Sequence, residues 1–407
     1  MNLQTVKVMI VDDDELSRHR LHRILGNLGA NNIQEAVNGE HALALLKSGE
    51  PMDLVVTDLR MPIMDGVELI RHLAEWHLAR AVIIASGLDP ALLQSVETMA
   101  RAYGLQVLGA IPKPLSPQRL AQLVLRYKAM DAEHKASAAA EISIATMREA
   151  LRSGEIYVEY QPKVECAGRR VAGVEALARW RRADGSLVPP AEFVAFAERE
   201  GLIDLLTYRV LDQACADLTQ WAQAGYTLNV AVNISMLSLS EVRIADRIAD
   251  KACAIGCKPH NIILEVTETA LAKETAKALD VLTRLRLKGF GLSIDDFGTG
   301  YASMQQLSNI PFTELKIDRS FVNGCAERPR MRSVIETSLE LARKLGLSSV
   351  AEGVEAREDW DVLQAMGCDY AQGWLISKSL SAADLFAWFK EWQRRTDLVS
   401  THFGNRA

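Results

Sequence analysis

The chain is short of several features that would place it outside an ordinary globular class. Cysteine is scarce, six among 407 residues, scattered at positions 166, 215, 253, 257, 325 and 368. Cys253 and Cys257 stand four apart in a helix-like stretch with no second Cys or His pair nearby, so they read as small thiols, not a zinc site. No apolar run reaches the about 18 residues that span a membrane. The opening stretch "VKVMIVDDDE" carries no basic, apolar, small-residue signal pattern. There is no basic excess: the formal net charge is -6, which argues against a nucleic-acid polymer as partner. There is no low-complexity tail. These absences lead us to expect a cytoplasmic, reduced protein without membrane insertion.

What is present is regular. Hydrophobic residues make up 49% and charged ones 24%, a balance suited to two or three globular domains at this length. Over residues 1–127, the runs "VKVMIV" (6–11), "DLVVT" (53–57), "AVIIA" (81–85) and "QVLGAI" (106–111) alternate with amphipathic stretches. Runs apolar on both faces fit a parallel sheet covered by helices, hence a doubly wound α/β domain. Residues 128–146, Ala-rich and free of Gly and Pro, read as a helical linker. Residues 147–396 repeat the βα alternation. Strand-like runs end near "GVEAL", "LNVAVN", "NIILEV", "GLSID", "ELKI", "SSVAE" and "YAQGW". About 250 residues of this repeat predict a (β/α)8 TIM-like barrel, leaving 397–407 as a C-terminal tail.

In the first domain, Asp12, Asp13 and Asp14 follow the first strand, Asp58 the third, Ser86 the fourth and Lys113 the fifth. Ligand sites of open α/β sheets form at these carboxyl ends. The acids suit a hard, oxygen-liganded cation such as Mg2+. It would position a phosphoryl group for attack by an aspartate, with a lysine and a hydroxyl holding the new phosphate oxygens. Acidic helix capping explains Asp14 and Glu15, but not the isolated Asp58, Ser86 and Lys113.

This stretch resembles a two-component receiver domain through Asp12 and Asp13, "TDLRMPIMDG" around Asp58, "ASG" with Ser86, and Lys113-Pro114. The resemblance implies a flavodoxin-like fold and Asp58 as phospho-acceptor, served by a sensor histidine kinase or phosphotransfer protein. It implies Asp13 as the main Mg2+ ligand, Asp12 acting through water, the Arg60 carbonyl completing the shell, Ser86 and Lys113 as switch residues, and a cis Lys113–Pro114 peptide. Two departures stand out. Ala110 replaces the usual aromatic switch residue, and Pro112 precedes the Lys-Pro pair.

In the second domain, polar residues end the apolar strands: Glu175, Asn233, Glu265, Asp295 with Asp296, Lys316, Glu352 and Gln372. In a barrel these ends face one pole, where active sites sit. Carboxylates converging there cannot all stay ionised without cations, and oxygen donors favour Mg2+ or Mn2+ over zinc. Their number suffices for two metals bridged by Asp295, an arrangement suited to phosphoester hydrolysis. Lys316 would position or polarise the water, and Arg179 offers a fork for phosphate. The glycines of "DFGTG" permit a tight loop beside the metals. Taken singly, each residue has an ordinary explanation as a cap, a turn residue or a solvated charge. Jointly those explanations require six strands to end alike by chance.

The combination resembles the EAL family of cyclic di-GMP phosphodiesterases. The matching motifs are "EALARW" (175–180), "QPK" (161–163), "VNIS" (232–235), "EVTE" (265–268), "DDFGTGYAS" (295–303), "LKIDRSF" (315–321), "AEGVE" (351–355) and "AQGW" (371–374). The resemblance implies a barrel with one irregular strand. It implies Glu175, Asn233, Glu265 and Asp295 on one ion and Asp295, Asp296 and Glu352 on the other, with Glu352 either ligand or general base. Substrate contacts would come from Gln161, Leu177, Arg179, Asp318, Glu355 and Gln372. Glu268 would anchor the 295–303 loop and couple it to a homo-oligomer interface. Ala302 and Ser238 depart from the common residues without touching a ligand position. The reading is a response regulator that hydrolyses cyclic di-GMP to linear 5′-pGpG under control of Asp58 phosphorylation, with Ca2+ inhibitory. Its rivals are a catalytically weak cyclic di-GMP receptor and a hydrolase for another phosphoester.

Overall fold

The computed structural model describes residues 3–47, 51–87, 93, 95–97, 99–100, 103–113, 115–138, 142–268, 276–300 and 304–403. The expectations for the Lys113–Pro114 peptide and for Ala302 fall on residues outside this set. The chain divides into two compact units, Met1–Ala139 and Ala140–Ala407.

The first unit holds five parallel strands: β1 (Leu3–Val11), β2 (Ala30–Ala36), β3 (Met52–Thr57), β4 (Ala79–Ser86) and β5 (Gln106–Pro112). Their order is β2-β1-β3-β4-β5, the flavodoxin-like arrangement. Successive residues of the central strands face opposite cores. Val8, Ile10, Leu54 and Val56 pack with Leu21, Leu25, Leu120 and Leu123 on one side. Met9, Val11, Val55 and Ile84 pack with Leu43, Leu69 and Ile70 on the other. This two-sided burial is why the runs are continuously apolar. Each such side chain contributes about 1.5–3 kcal/mol. β2 lies at the sheet edge, with only Ala30 and Ala36 buried among its seven residues, so it lacks an apolar run.

The helix Pro117–Ala138 covers the first part of the expected 128–146 connector. The helix Ile144–Ser153 then opens on a capping box between Ser143 and Thr146, which satisfies two otherwise orphaned backbone donors.

The second unit is a closed barrel. Its strands are β6 (Ile156–Glu165), β7 (Val171–Arg181), β9 (Asn229–Asn233), β10 (Ile262–Thr267), β11 (Gly291–Phe297), β12 (Glu314–Ile317), β13 (Ser348–Ala351) and β14 (Tyr370–Gln372), with β8 (Leu187–Val188) attached to β7. Seven run parallel in the order β7-β9-β10-β11-β12-β13-β14. β6 closes the ring, antiparallel to both β7 and β14. The wall is covered by helices such as Pro329–Leu345, which buries Ile335, Leu339 and Ala342 on one stripe. That helix ends at Gly346 with φ 68°, a left-handed stop that suits glycine. The last helix, Ala382–Phe403, continues past residue 396. No helix among the described residues is long and apolar enough to cross a membrane.

Candidate active site

The parallel strands deliver their polar residues to one pole of the barrel. Register places Asn233 of β9 opposite Glu265 of β10, so both side chains leave the same face of the wall. At the centre lies Lys316 of β12, whose side chain is 1% exposed. Its Nζ stands 2.7 Å from Glu352 Oε1, 3.0 Å from Glu265 Oε2, 3.1 Å from Asp295 Oδ1 and 3.5 Å from Glu175 Oε2. Glu175 is held further. Gln372 Nε2 donates to its Oε2 at 2.6 Å and Asn233 Nδ2 to its Oε1 at 3.2 Å. The same Gln372 amide donates to Gln161 Oε1 at 3.0 Å.

Four carboxylates, those of Glu175, Glu265, Asp295 and Glu352, thus meet around one ammonium, and Asp296 adjoins Asp295 and Glu352. Burial opposes the charged lysine, but Glu175, Glu265, Glu352 and Asp295 outweigh it and hold Lys316 well above the ordinary lysine value. Burial pushes Glu352 up to about 8, helped by Asp295 and Glu175 and opposed by Lys316. Burial, with Asp295 and Asp318, raises Asp296 to about 6. Burial likewise lifts Glu265, against the pull of Lys316. Glu175 runs the other way: burial would raise it, but Lys316, Gln372 and Asn233 keep it low.

Two backbone features shape the rim. Asp296 has φ 55°, an uncommon conformation for a non-glycine residue that turns the chain directly after Asp295. Glu268, buried, accepts the N–H groups of Gly298 at 2.7 Å and Gly300 at 2.9 Å. Gly298 has φ 100°, and a Cβ there would meet the Phe321 ring at 2.7 Å.

A cleft of about 370 Å³ opens above the carboxylates. Gln161, Asp318, Glu355 and Gln372 line it beside Glu175, Asp295, Asp296 and Glu352. Leu177, Arg179 and Asn233 line a neighbouring, more apolar cavity of about 630 Å³. The Glu175–Asn233 hydrogen bond links the two.

The sequence reading missed two members of this region. Trp374, 63% exposed, lines the carboxylate cleft; it ends the quoted "AQGW" motif and was passed over. Glu159 on β6 binds Arg179 Nε at 3.0 Å, while Arg179 Nη2 donates to Ser379 Oγ at 3.0 Å. The guanidinium expected to face phosphate is therefore already tied to a carboxylate. Glu159 has no motif signal, because β6 was not recognised as a strand.

The donor set fits divalent cations. Oxygens of Asp295, Asp296 and Glu352 lie within 4.8 Å of one another, and the single ammonium leaves the buried carboxylates undercompensated. All donors are oxygens, which suits Mg2+ or Mn2+.

The first unit repeats the theme on a smaller scale. Lys113 Nζ donates to Asp12 Oδ2 at 2.8 Å and Asp58 Oδ2 at 2.5 Å. Leu59 N donates to Asp58 Oδ1 at 2.5 Å. Asp13 is exposed beside this pair, and oxygens of Asp12, Asp13 and Asp58 also lie within 4.8 Å of one another. Burial raises Asp12, and Asp58 adds to it, while Lys113 opposes. Burial would lower Lys113, but Asp12 and Asp58 raise it. Ser86 is buried at the end of β4, and Ala110 is half-buried on β5 opposite Ile84. A Cβ on Gly66 would lie 2.1 Å from the Asp58 carbonyl, so glycine is required there.

An acidic pole on a parallel barrel, preceded by a flavodoxin-like sheet with its own acid–lysine cluster, defines a two-domain signalling architecture. The profile of the EAL domain matches residues 144–379 and that of the response regulator receiver domain residues 8–125. The chain belongs to the EAL domain family, with a receiver domain ahead of the barrel. It is 34% identical over 380 residues to the cyclic di-GMP phosphodiesterase RocR of Pseudomonas aeruginosa, covering 93% of this chain and 97% of that protein. It is 37% identical over 242 residues to the bifunctional diguanylate cyclase/cyclic di-GMP phosphodiesterase MucR of the same species, covering 59% of this chain and 35% of that protein. Among solved structures, the PaMucR phosphodiesterase in complex with c-di-GMP superposes with TM-score 0.57 at 36% identity, covering 60% of this chain and 98% of that one.

Proposed function

We propose that the protein is a response regulator whose barrel hydrolyses one phosphodiester of cyclic di-GMP to give linear 5′-pGpG, under control of phosphorylation at Asp58. The observation that carries this reading is the meeting of four carboxylates around Lys316 at the pole where barrel active sites form. The similarity to RocR over nearly the whole chain supports it.

Glu175, Asn233, Glu265 and Asp295 would hold one Mg2+ or Mn2+ ion, and Asp295, Asp296 and Glu352 a second. Bound there, such ions lower the pKa of a water and neutralise charge on phosphoryl oxygens. The chain's own residues do the rest. Lys316 keeps Glu352 and Asp295 turned inward and supplies a fixed positive charge beside the attacked phosphate. Glu352 would serve either as a ligand of that second ion or as the base that accepts a proton from the attacking water. Gln372 and Asn233 fix the rotamer of Glu175. Gln161, Asp318 and Glu355 line the cleft available to the nucleotide, and Leu177 and Arg179 the adjoining cavity. Glu268 holds the loop after Asp296 in place through two backbone N–H groups. In the first unit, Asp58 would take a phosphoryl group from a histidine kinase or phosphotransfer protein with Mg2+ on Asp12 and Asp13, and Lys113 would pair with the new phosphate. Homo-oligomerisation completes the reading.

Incubation with cyclic di-GMP and Mg2+, followed by chromatography, tests it. Linear pGpG should accumulate with many turnovers and disappear for Glu175→Ala. Intact nucleotide retained in stoichiometric complex would instead make the barrel a receptor.

A further inference from the structure

The antiparallel strand β6 carries Glu159. Register sets Glu159 opposite Leu177 on β7, and Arg179, two residues further along β7, leaves the same face of the sheet. Long side chains on such diagonal neighbours can meet. Here they do: Arg179 Nε donates to Glu159 Oε2 at 3.0 Å. Ser379, beyond β14, joins them. Its Oγ donates to the same Glu159 Oε2 at 2.7 Å and accepts from Arg179 Nη2 at 3.0 Å. The three groups close a ring along one edge of the guanidinium.

β6 also holds the segment that brings Ser379 there. Tyr160 N donates to the Leu380 carbonyl at 2.7 Å, and Leu380 N to the Tyr160 carbonyl at 2.9 Å. Gln161 Nε2 donates to the Ser377 carbonyl at 3.2 Å. Carboxylate and hydroxyl are thus both mounted on this strand.

Arg179 Nη1 donates to the Ala178 carbonyl at 3.1 Å. A guanidinium has five N–H donors. Three are engaged by Glu159, Ser379 and Ala178, which leaves one on each terminal nitrogen. Such a pair can grip a phosphate with two bonds. Arg179 lines the cavity of about 630 Å³ beside the carboxylate cleft. Its side chain is 26% exposed and that of Glu159 23%, so a ligand can reach the guanidinium.

An ion pair this open to water adds little to stability; its consequence is orientation. Losing Glu159 would free both the charge and the direction of Arg179. The gain in charge is screened by water, whereas a wandering guanidinium must be immobilised anew whenever ligand binds. Orientation therefore sets the sign. On the reading of the barrel as a cyclic di-GMP phosphodiesterase, on which this inference rests, we propose that Glu159 and Ser379 are positioning residues that preset Arg179 for a phosphate of the nucleotide.

The test is steady-state kinetics of the full chain with cyclic di-GMP and Mg2+. Glu159→Ala should raise KM by about 3- to 10-fold, the cost of ordering one long side chain. Its kcat should change by less than about twofold, since ground and transition states lose the contact alike. Ser379→Ala should act in the same direction, more weakly. Glu159→Gln, which still offers an oxygen to Nε, should recover most of the affinity. In an Arg179→Ala background, Glu159→Ala should have no further effect, whereas a general defect of the fold would persist there. Calorimetric titration with cyclic di-GMP in Ca2+ repeats the comparison without turnover. A wild-type chain that neither hydrolyses nor binds the nucleotide sinks the reading of the barrel, and this proposal with it. A wild-type chain that does either, with affinity kept or tightened in Glu159→Ala, or lost equally in the Arg179→Ala background, overturns the positioning role alone.

Discussion

Lys316 Nζ lies 2.7 Å from Glu352 Oε1 at the floor of the acidic pole. It is a buried cation shared among four carboxylates, and removing one partner of a buried ionic group leaves the others uncompensated. Lys316→Met should therefore destabilise the metal-free protein by about 3–5 kcal/mol. Turnover should fall by about 100-fold or more. Urea unfolding with and without Mg2+ checks the first figure, since saturating cation should restore part of the loss. An unchanged midpoint would mean that the cluster is not held by Lys316.

The raised Glu352 sets a pH dependence. A carboxyl that titrates near 8 when folded and 4.5 when unfolded binds more protons in the native state throughout that interval. Stability of the metal-free protein should then fall as pH rises from about 5 to about 8. Glu352→Gln should flatten this slope. The gain in Tm on adding Mg2+ should grow with pH, because ligands must shed protons to bind. Calorimetric melts at pH 5.5, 6.5 and 7.5 measure both.

Much of this architecture was legible before any coordinates. Four of the five strands of the first unit announce themselves because both faces are buried, while β2, at the edge, does not. The barrel strands that end in acids were found by their apolar runs. β6 was missed because its first half alternates buried and half-buried residues, with Glu159 and Gln161 on the less buried side. It also runs against its neighbours, which no βα repeat foretells. The acids at the strand ends were visible, but the centrality of Lys316 was not, since the number of carboxylates around one ammonium is a three-dimensional quantity. Arg179 carries a partner that the sequence does not announce: Glu159, on the unrecognised strand, bonds its Nε at 3.0 Å.

The loop after Asp296 rests on Glu268. Glu268→Ala removes two bonds from a carboxylate to the N–H groups of Gly298 and Gly300, each worth about 1.5–3 kcal/mol. Steady-state kinetics should show kcat/KM reduced by about 10-fold or more, with an unchanged circular dichroism spectrum. Full activity would detach this loop from catalysis.

The first unit offers a direct chemical check. Incubation with acetyl phosphate and Mg2+ should add one phosphoryl mass to the wild-type chain and none to Asp58→Asn. Lys113→Ala should still accept the group, since the nucleophile remains, but any phosphorylation-dependent change in turnover should be lost. A phosphorylated Asp58→Asn chain would move the acceptor elsewhere.

Calcium separates binding from chemistry. Ca2+ takes about 6–8 oxygen ligands in a loose shell, so it should occupy the acidic pole and raise Tm while suppressing turnover in competition with Mg2+. Equal turnover in the two metals would argue against a tightly set pair of ions.

The most direct test is crystallographic: manganese anomalous scattering from the chain grown with Mn2+ and cyclic di-GMP. Two peaks about 3.5–4 Å apart, with Asp295 between them and a phosphate of the nucleotide on both, are expected. A map with no peak among Glu175, Asp295, Asp296 and Glu352, with the nucleotide in place, would contradict the assignment of these acids as a metal cage.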